Sequence, residues 1–135
     1  MVVIDFETRS KVDIRKTGSS VYARDASTQV LCLGYTLDGY KAKLWTPEMA
    51  PPEDLLQAVR DGEEIHAHNA LFERLIWTHI CVPRFGWPDV PFESWRCSLA
   101  ACSRLALPRG LEDAGKALGL PIEKDLEGRR IMLKL

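Results

Sequence analysis

No apolar run in this sequence approaches the roughly 20 residues that a membrane-spanning helix needs. Asp5, Glu7 and Arg9 break up the first segment, so it is not expected to be a secretion signal. None of the four cysteines (Cys32, Cys81, Cys97 and Cys102) forms a C-x-x-C pair, and a zinc site is therefore not expected. Most sit beside apolar residues and read as small core side chains, which suits a reducing, intracellular compartment. There is no excess of charge of either sign. A net charge of -1 gives no global pull toward nucleic acid or anionic membrane, so any site for a polyanion must be local. Internal repeats, low-complexity segments and an obvious domain boundary are also missing. The 135 residues, 46% hydrophobic and 27% charged, are expected to form a single domain with one core.

What is there alternates between strand and helix signals. Val2 to Phe6 is an apolar, β-branched run that reads as a buried strand. A polar loop follows, with a short helix expected at "GSSVYARD". "QVLCLGYTLDG" and "YKAKLW" read as a hairpin turning at Asp38-Gly39. "PPEDLLQAVRDG" opens on prolines, carries Leu55, Leu56 and Val59 at helical spacing and ends at Gly62. "EIHAHN" is a short fourth strand. "NALFERLIWTHICV" places Leu71, Leu75, Ile76 and His79 on one helical face. After the proline-rich "GWPDVPFES", "WRC" is a fifth strand, leading into a helix through "SLAACSRLAL" with Ser98 as its cap. "LEDAGKALGL" is a short helix stopped by Gly119 and Pro121, and the tail over 123–135 is expected to be helical. A hairpin followed by β-α-β crossovers predicts a mixed sheet flanked by helices.

Two stretches carry chemistry. In a strand, residues i and i+2 share a face roughly 6–7 Å apart, so Asp5 and Glu7 lie together while Phe6 points into the core. Two unpaired carboxylates on a buried strand each cost several kcal/mol, on the order expected for ion desolvation. A hard divalent cation removes that cost, because magnesium takes oxygen ligands. The bland alternative is a strand that ends at Phe6 and leaves Glu7 merely solvated. The second stretch is "HAHNALFE". Asn69 stands where a strand hands over to a helix, and Glu73 follows one turn later, a placement suited to a site at the carboxyl ends of strands. His66 and His68 read as strand-edge imidazoles. Trp45, Trp77, Trp87 and Trp95 are scattered singly, which favours core or loop anchors over base-stacking platforms. Arg9, Lys11, Arg15 and Lys16 form a small basic cluster beside the acidic stretch that suits either solvated surface or phosphate contact. Arg129 and Arg130 read as surface.

"DFET" followed by "HNALFE" resembles the first two motifs of the DEDD-type 3′–5′ exonucleases, whose fold is ribonuclease H-like. The resemblance is closer to the proofreading domain of phage-type family A DNA polymerases. It rests on "DFETRS" at 5–10, Gly18 to Ala23 with Tyr22, Leu44-Trp45, "AHNALFE" at 67–73, the W-x-C at 95–97 and "LPRGLEDAGKALGL" at 107–120, in that order along nearly the whole chain. The resemblance implies a sheet of order 3-2-1-4-5. It also implies a metal-dependent exonuclease that hydrolyses phosphodiester bonds at the 3′ end of single-stranded DNA, joined to a polymerase domain in the full-length protein. It assigns Asp5, Glu7 and Glu73 as catalytic ligands of magnesium or manganese, two ions in a complete site. Thr8, Asn69 and Phe72 would contact the strand being cut. The setting would be the cytoplasm of a bacterial or phage-infected cell, with no membrane partner.

One part of that pattern is missing. The family's third motif is a Tyr or His followed four residues later by Asp. None of the acids after Glu73 (Asp89, Glu93, Glu112, Asp113, Glu123, Asp125 and Glu127) has Tyr or His at that spacing. The stretch therefore reads as an exonuclease domain incomplete at its carboxyl end. The alternative function is a catalytically incomplete, ribonuclease H-like module for nucleic-acid binding or interaction.

Overall fold

The structure is a computed structural model that describes residues 1–121 together with Asp125, Glu127, Arg130 and Ile131. Apart from those four residues, the helix expected over 123–135, with Arg129, lies outside the described residues. By its internal contacts the chain divides into two compact units, Met1–Ser98 and Leu99–Leu135, and each is taken by itself.

The first unit is built on a mixed five-stranded sheet. Its strands are β1 (Val2–Arg9), β2 (Gln29–Thr36), β3 (Lys43–Trp45), β4 (Ile65–Ala67) and β5 (Trp95–Cys97). Their order is β3-β2-β1-β4-β5, the order expected. β1 is central, antiparallel to β2 and parallel to β4. The helices α1 (Ile14–Thr17), α2 (Ser19–Arg24), α3 (Glu53–Arg60), α4 (Ala70–Ile76) and α5 (Val82–Phe85) complete the unit. This flanked, mixed sheet is an α/β fold compatible with a ribonuclease H-like arrangement.

Cross-strand partners share a face, and the register therefore defines the core layer. Val2 pairs with Ile65, Ile4 with Tyr35, Phe6 with Leu33, and Leu33 with Trp45. All seven are buried. α3 adds Leu55, Leu56, Ala58 and Val59 to this core. Val3, expected to be buried as well, lies on the other face of β1 and is only half-buried.

Several element boundaries differ from the expected ones. β1 runs on to Arg9 rather than ending at Phe6, with an irregularity in its pairing between Glu7 and Thr8. β3 is confined to Lys43–Trp45, because the Asp38 carboxylate accepts the Tyr40 and Lys41 N–H groups (2.8 and 2.9 Å) and holds them in the turn. α3 ends where expected. The Gly62 N–H donates to Val59 O and the Glu63 N–H to Ala58 O. Gly62 sits at φ 78°, so this is the left-handed closure that glycine permits.

The helix after β4 is the main departure. Leu71, expected on the core face, is 52% exposed. The buried residues are Ala70, Glu73 and Ile76 of α4, then Trp77, Ile80 and Cys81. The segment Trp77–Cys81 is a π-helical turn between α4 and α5. Positions 70, 73, 76, 77, 80 and 81 still recur every three to four residues, so the buried stripe keeps a helical period but is turned about the axis from the expected one, with Glu73 inside and Leu71 outside. The tryptophans form one cluster: Trp45–Trp87 (4.8 Å between ring centroids), Trp77–Trp87 (5.0 Å) and Trp77–Trp95 (6.4 Å). They are core anchors, as their scattered spacing suggested.

In the second unit, α6 (Ser98–Arg104, its first residue belonging to the first unit) and α7 (Leu111–Ala117) are joined by a turn containing Ala106 at φ 56°. Gly119, at φ 68°, closes α7, with the Leu120 N–H donating to Gly115 O. Among the described residues, no helix is long and apolar enough to cross a membrane.

Candidate active site

The site lies where β4 stops short. The pairing of β4 with β1 extends only to Val3 opposite His66, while β1 continues for six more residues, to Arg9. The edge of β1 that faces β4 is therefore left with ladder groups unmatched by strand. α4 starts just beyond β4, and its first turn brings Glu73 to this gap. The Phe6 N–H donates to Glu73 Oε2 at 3.1 Å, so a side-chain carboxylate takes the place of a strand carbonyl. Phe6 itself is buried and meets Trp77 edge-on, with ring centroids 6.2 Å apart.

Asp5 and Glu7 flank that bond along the chain. Both are exposed and share the face opposite Phe6. Across from Asp5 stands Gly34, where even a Cβ would meet nothing closer than Asp5 O at 3.9 Å. The face beside Asp5 thus carries no side chain from β2. Across from Glu7 stands Cys32, whose thiol is pushed up by burial first, and then by the charges of Glu7 and Asp5.

Glu73 is only 3% exposed. Its carboxyl is pushed up to about 8, chiefly by burial and next by the negative charge of Asp5. The Phe6 N–H pulls the other way, and Glu7 adds a smaller upward push. The three expected carboxylates are thus within electrostatic reach of one another at one end of the sheet. As the side chains stand, no three ligating groups among the described residues are gathered tightly enough to hold a metal ion.

The residues expected to touch substrate lie around this gap. Asn69 precedes α4 in the left-handed conformation (φ 63°, ψ 52°) and makes no side-chain cap bond. Asparagine is among the few residues besides glycine that adopt this backbone readily. The Thr8 hydroxyl is hydrogen-bonded to the Tyr22 hydroxyl at 2.9 Å. The Phe72 ring lies against Tyr22, centroids 6.1 Å apart at 44°. The sequence pattern included Tyr22 without giving it a role. The basic cluster is partly occupied by protein: Arg9 donates twice to Gln29 Oε1 (3.0 and 2.9 Å), and Arg15 pairs with Asp13 at 3.2 Å.

The imidazoles behave as strand-edge groups. His66 lies 3.6 Å from the Glu64 carboxylate. His68 Nδ1 is hydrogen-bonded to Ser98 Oγ at 2.9 Å, joining the carboxyl ends of β4 and β5. That pair was not visible in sequence, because 30 residues separate its members.

A mixed sheet with carboxylates at the point where its strand direction changes defines the class: an α/β domain with an acidic site at the carboxyl end of its central strand. No family model matches the chain. Over 133 residues it is 31% identical to a DNA polymerase of Bacillus phage SP02, a match covering 96% of this chain and 20% of that protein. The chain is similar to a segment of a phage DNA polymerase and spans about a fifth of the length of that curated relative.

Proposed function

We propose that this chain is the 3′–5′ exonuclease, or proofreading, part of a DNA polymerase, acting on the 3′ end of single-stranded DNA. The observation that carries this reading is the buried Glu73 carboxylate, held at the Phe6 N–H within reach of the charges of Asp5 and Glu7. The similarity to a phage DNA polymerase along almost the whole chain supports it.

The donor set fits magnesium or manganese. It consists of carboxylate oxygens, the ligands these hard cations take. The buried Glu73 has no opposing positive charge among the groups that shift it, and Gly34 leaves the face beside Asp5 clear. Asp5, Glu7 and Glu73 would hold the cations, two in a complete site. Bound there, such ions stabilise charge on the attacking and leaving oxygens of a phosphodiester. The chain's own part is positional. β1 fixes Asp5 and Glu7 on one face. The Phe6 N–H orients the Glu73 carboxylate. Thr8, Asn69 and Phe72 line the approach of the strand end.

The test is degradation of a 5′-labelled single-stranded DNA in magnesium or manganese. Shortening from the 3′ end is expected, slow with this chain alone and abolished by Asp5→Ala. Binding of DNA with no Asp5-dependent shortening would replace this function with that of a nucleic-acid-binding module.

A further inference from the structure

Tyr22 stands between two of the residues proposed to meet the DNA, and the sequence pattern leaves it without a role. Its side chain is 7% exposed, and its two contacts go to different elements. The hydroxyl meets Thr8 Oγ1 on β1 at 2.9 Å, one residue beyond Glu7. The ring lies against Phe72 on α4, one residue before Glu73. The helix that carries it is itself fixed: the Thr28 hydroxyl donates to Tyr22 O at 2.5 Å and is hydrogen-bonded to Ser10 Oγ at 2.8 Å, and Thr28 is fully buried. Tyr22 therefore rests on a rigid support rather than on a loop side chain free to turn.

We infer that Tyr22 is a positioning residue of the DNA-binding cleft, which sets the Thr8 hydroxyl and the Phe72 ring in register for the 3′-terminal nucleotide. This inference rests on the proposed function. A threonine hydroxyl on a half-exposed strand end rotates freely unless something fixes it. Either hydroxyl can donate in this bond; with the phenol as donor, the threonine's own proton is left to point at a sugar or phosphate oxygen. The ring contact limits Phe72 in the same way, keeping it in place for a base to stack on. Fixing both groups before DNA arrives removes an ordering cost from binding.

The experiment measures binding of a short, 5′-fluorescein-labelled oligothymidylate by fluorescence anisotropy, in calcium, with thermal unfolding followed in parallel. Tyr22→Phe removes one hydroxyl and keeps the ring. Thr8→Val removes the other partner of the same bond from a half-exposed position. Each substitution is expected to weaken binding roughly three- to tenfold, the range of one net hydrogen bond. The double variant should be no weaker than Thr8→Val alone, because both changes delete one interaction. A purely structural role would lower the melting temperature and leave affinity unchanged in the folded protein. Unchanged affinity in Thr8→Val overturns the inference even if Tyr22→Phe fails to fold, and so does unchanged affinity in Tyr22→Phe. If the unsubstituted chain does not bind the oligonucleotide at all, the proposed function falls, and this inference with it.

Discussion

Glu73 is a carboxylic acid held where ionisation is unfavourable. It is buried, it faces the charges of Asp5 and Glu7, and its one recorded favourable partner is a backbone N–H. Its carboxyl stands at about 8 against an ordinary 4.5. Between those pH values the folded chain keeps a proton that the unfolded chain has released. Stability without divalent cation should therefore fall as pH rises from 4.5 to 8, by an amount on the order of a few kcal/mol. Glu73→Gln retains an acceptor for the Phe6 N–H and cannot ionise, so its stability should be flatter across the same window. Urea unfolding at pH 5 and pH 8 in EDTA checks this. Equal pH dependence in the two proteins would mean that Glu73 is ionised at little cost. The acid's identity and its position one turn after Asn69 were legible in sequence. Its burial was not, because hydropathy places a glutamate on the outer face of a helix by default.

At the scale of elements, the segment from Ala70 to Phe85 shows how a period misleads. Counted at 3.6 residues per turn, Leu71 belongs to the apolar face. The buried stripe, at 70, 73, 76, 77, 80 and 81, has the same period and another phase, with Glu73 turned inward. Trp77 is fully buried, and its Nε1–H donates to Pro88 O at 2.9 Å. Trp77→Ala should cost about 3–5 kcal/mol through the cavity it leaves, and leave one fewer anchor for the proline-rich loop. Leu71→Ala, at an exposed position, should fall within about 0.5 kcal/mol of the unsubstituted chain. Denaturant midpoints for the pair settle which face is inside. A large loss in Leu71→Ala would restore the face that places Leu71 inside. The strands were easier to read. The β-branched run at Val2 to Ile4 and the Asp38-Gly39 turn are local signals, although β1 proved longer and β3 shorter than propensity alone indicated.

For the molecule as a whole, the same sheet serves both stability and the proposed chemistry. The face of β1 that carries Ile4 and Phe6 is core, and the face that carries Asp5 and Glu7 is open. The sequence supplies three carboxylates and lacks a Tyr or His followed four residues later by Asp. Positioned acid–base assistance is worth about 10²–10⁴ in rate. This chain should therefore cleave DNA slowly compared with a longer chain that includes such a helix. The comparison is made on one 3′-ended single strand in magnesium or manganese. Equal rates, lost from both by Asp5→Ala, would show that these 135 residues already hold a complete site.

The sequence by itself determined the types of the strands and of most helices, the strand order implied by the family resemblance, and the shared face of Asp5 and Glu7. The element types and the shared face follow from local periodicity, and the strand order from a resemblance whose motifs are spread from Asp5 to Leu120. Only the tertiary structure decided that Glu73 closes the gap left by a short β4, that Tyr22 bridges Thr8 and Phe72, and that Leu71 faces outward. Each of these depends on where one element ends relative to another. The Phe6 N–H and the Glu73 carboxylate, 67 residues apart, meet because β4 stops before β1 does and a buried donor must find an acceptor.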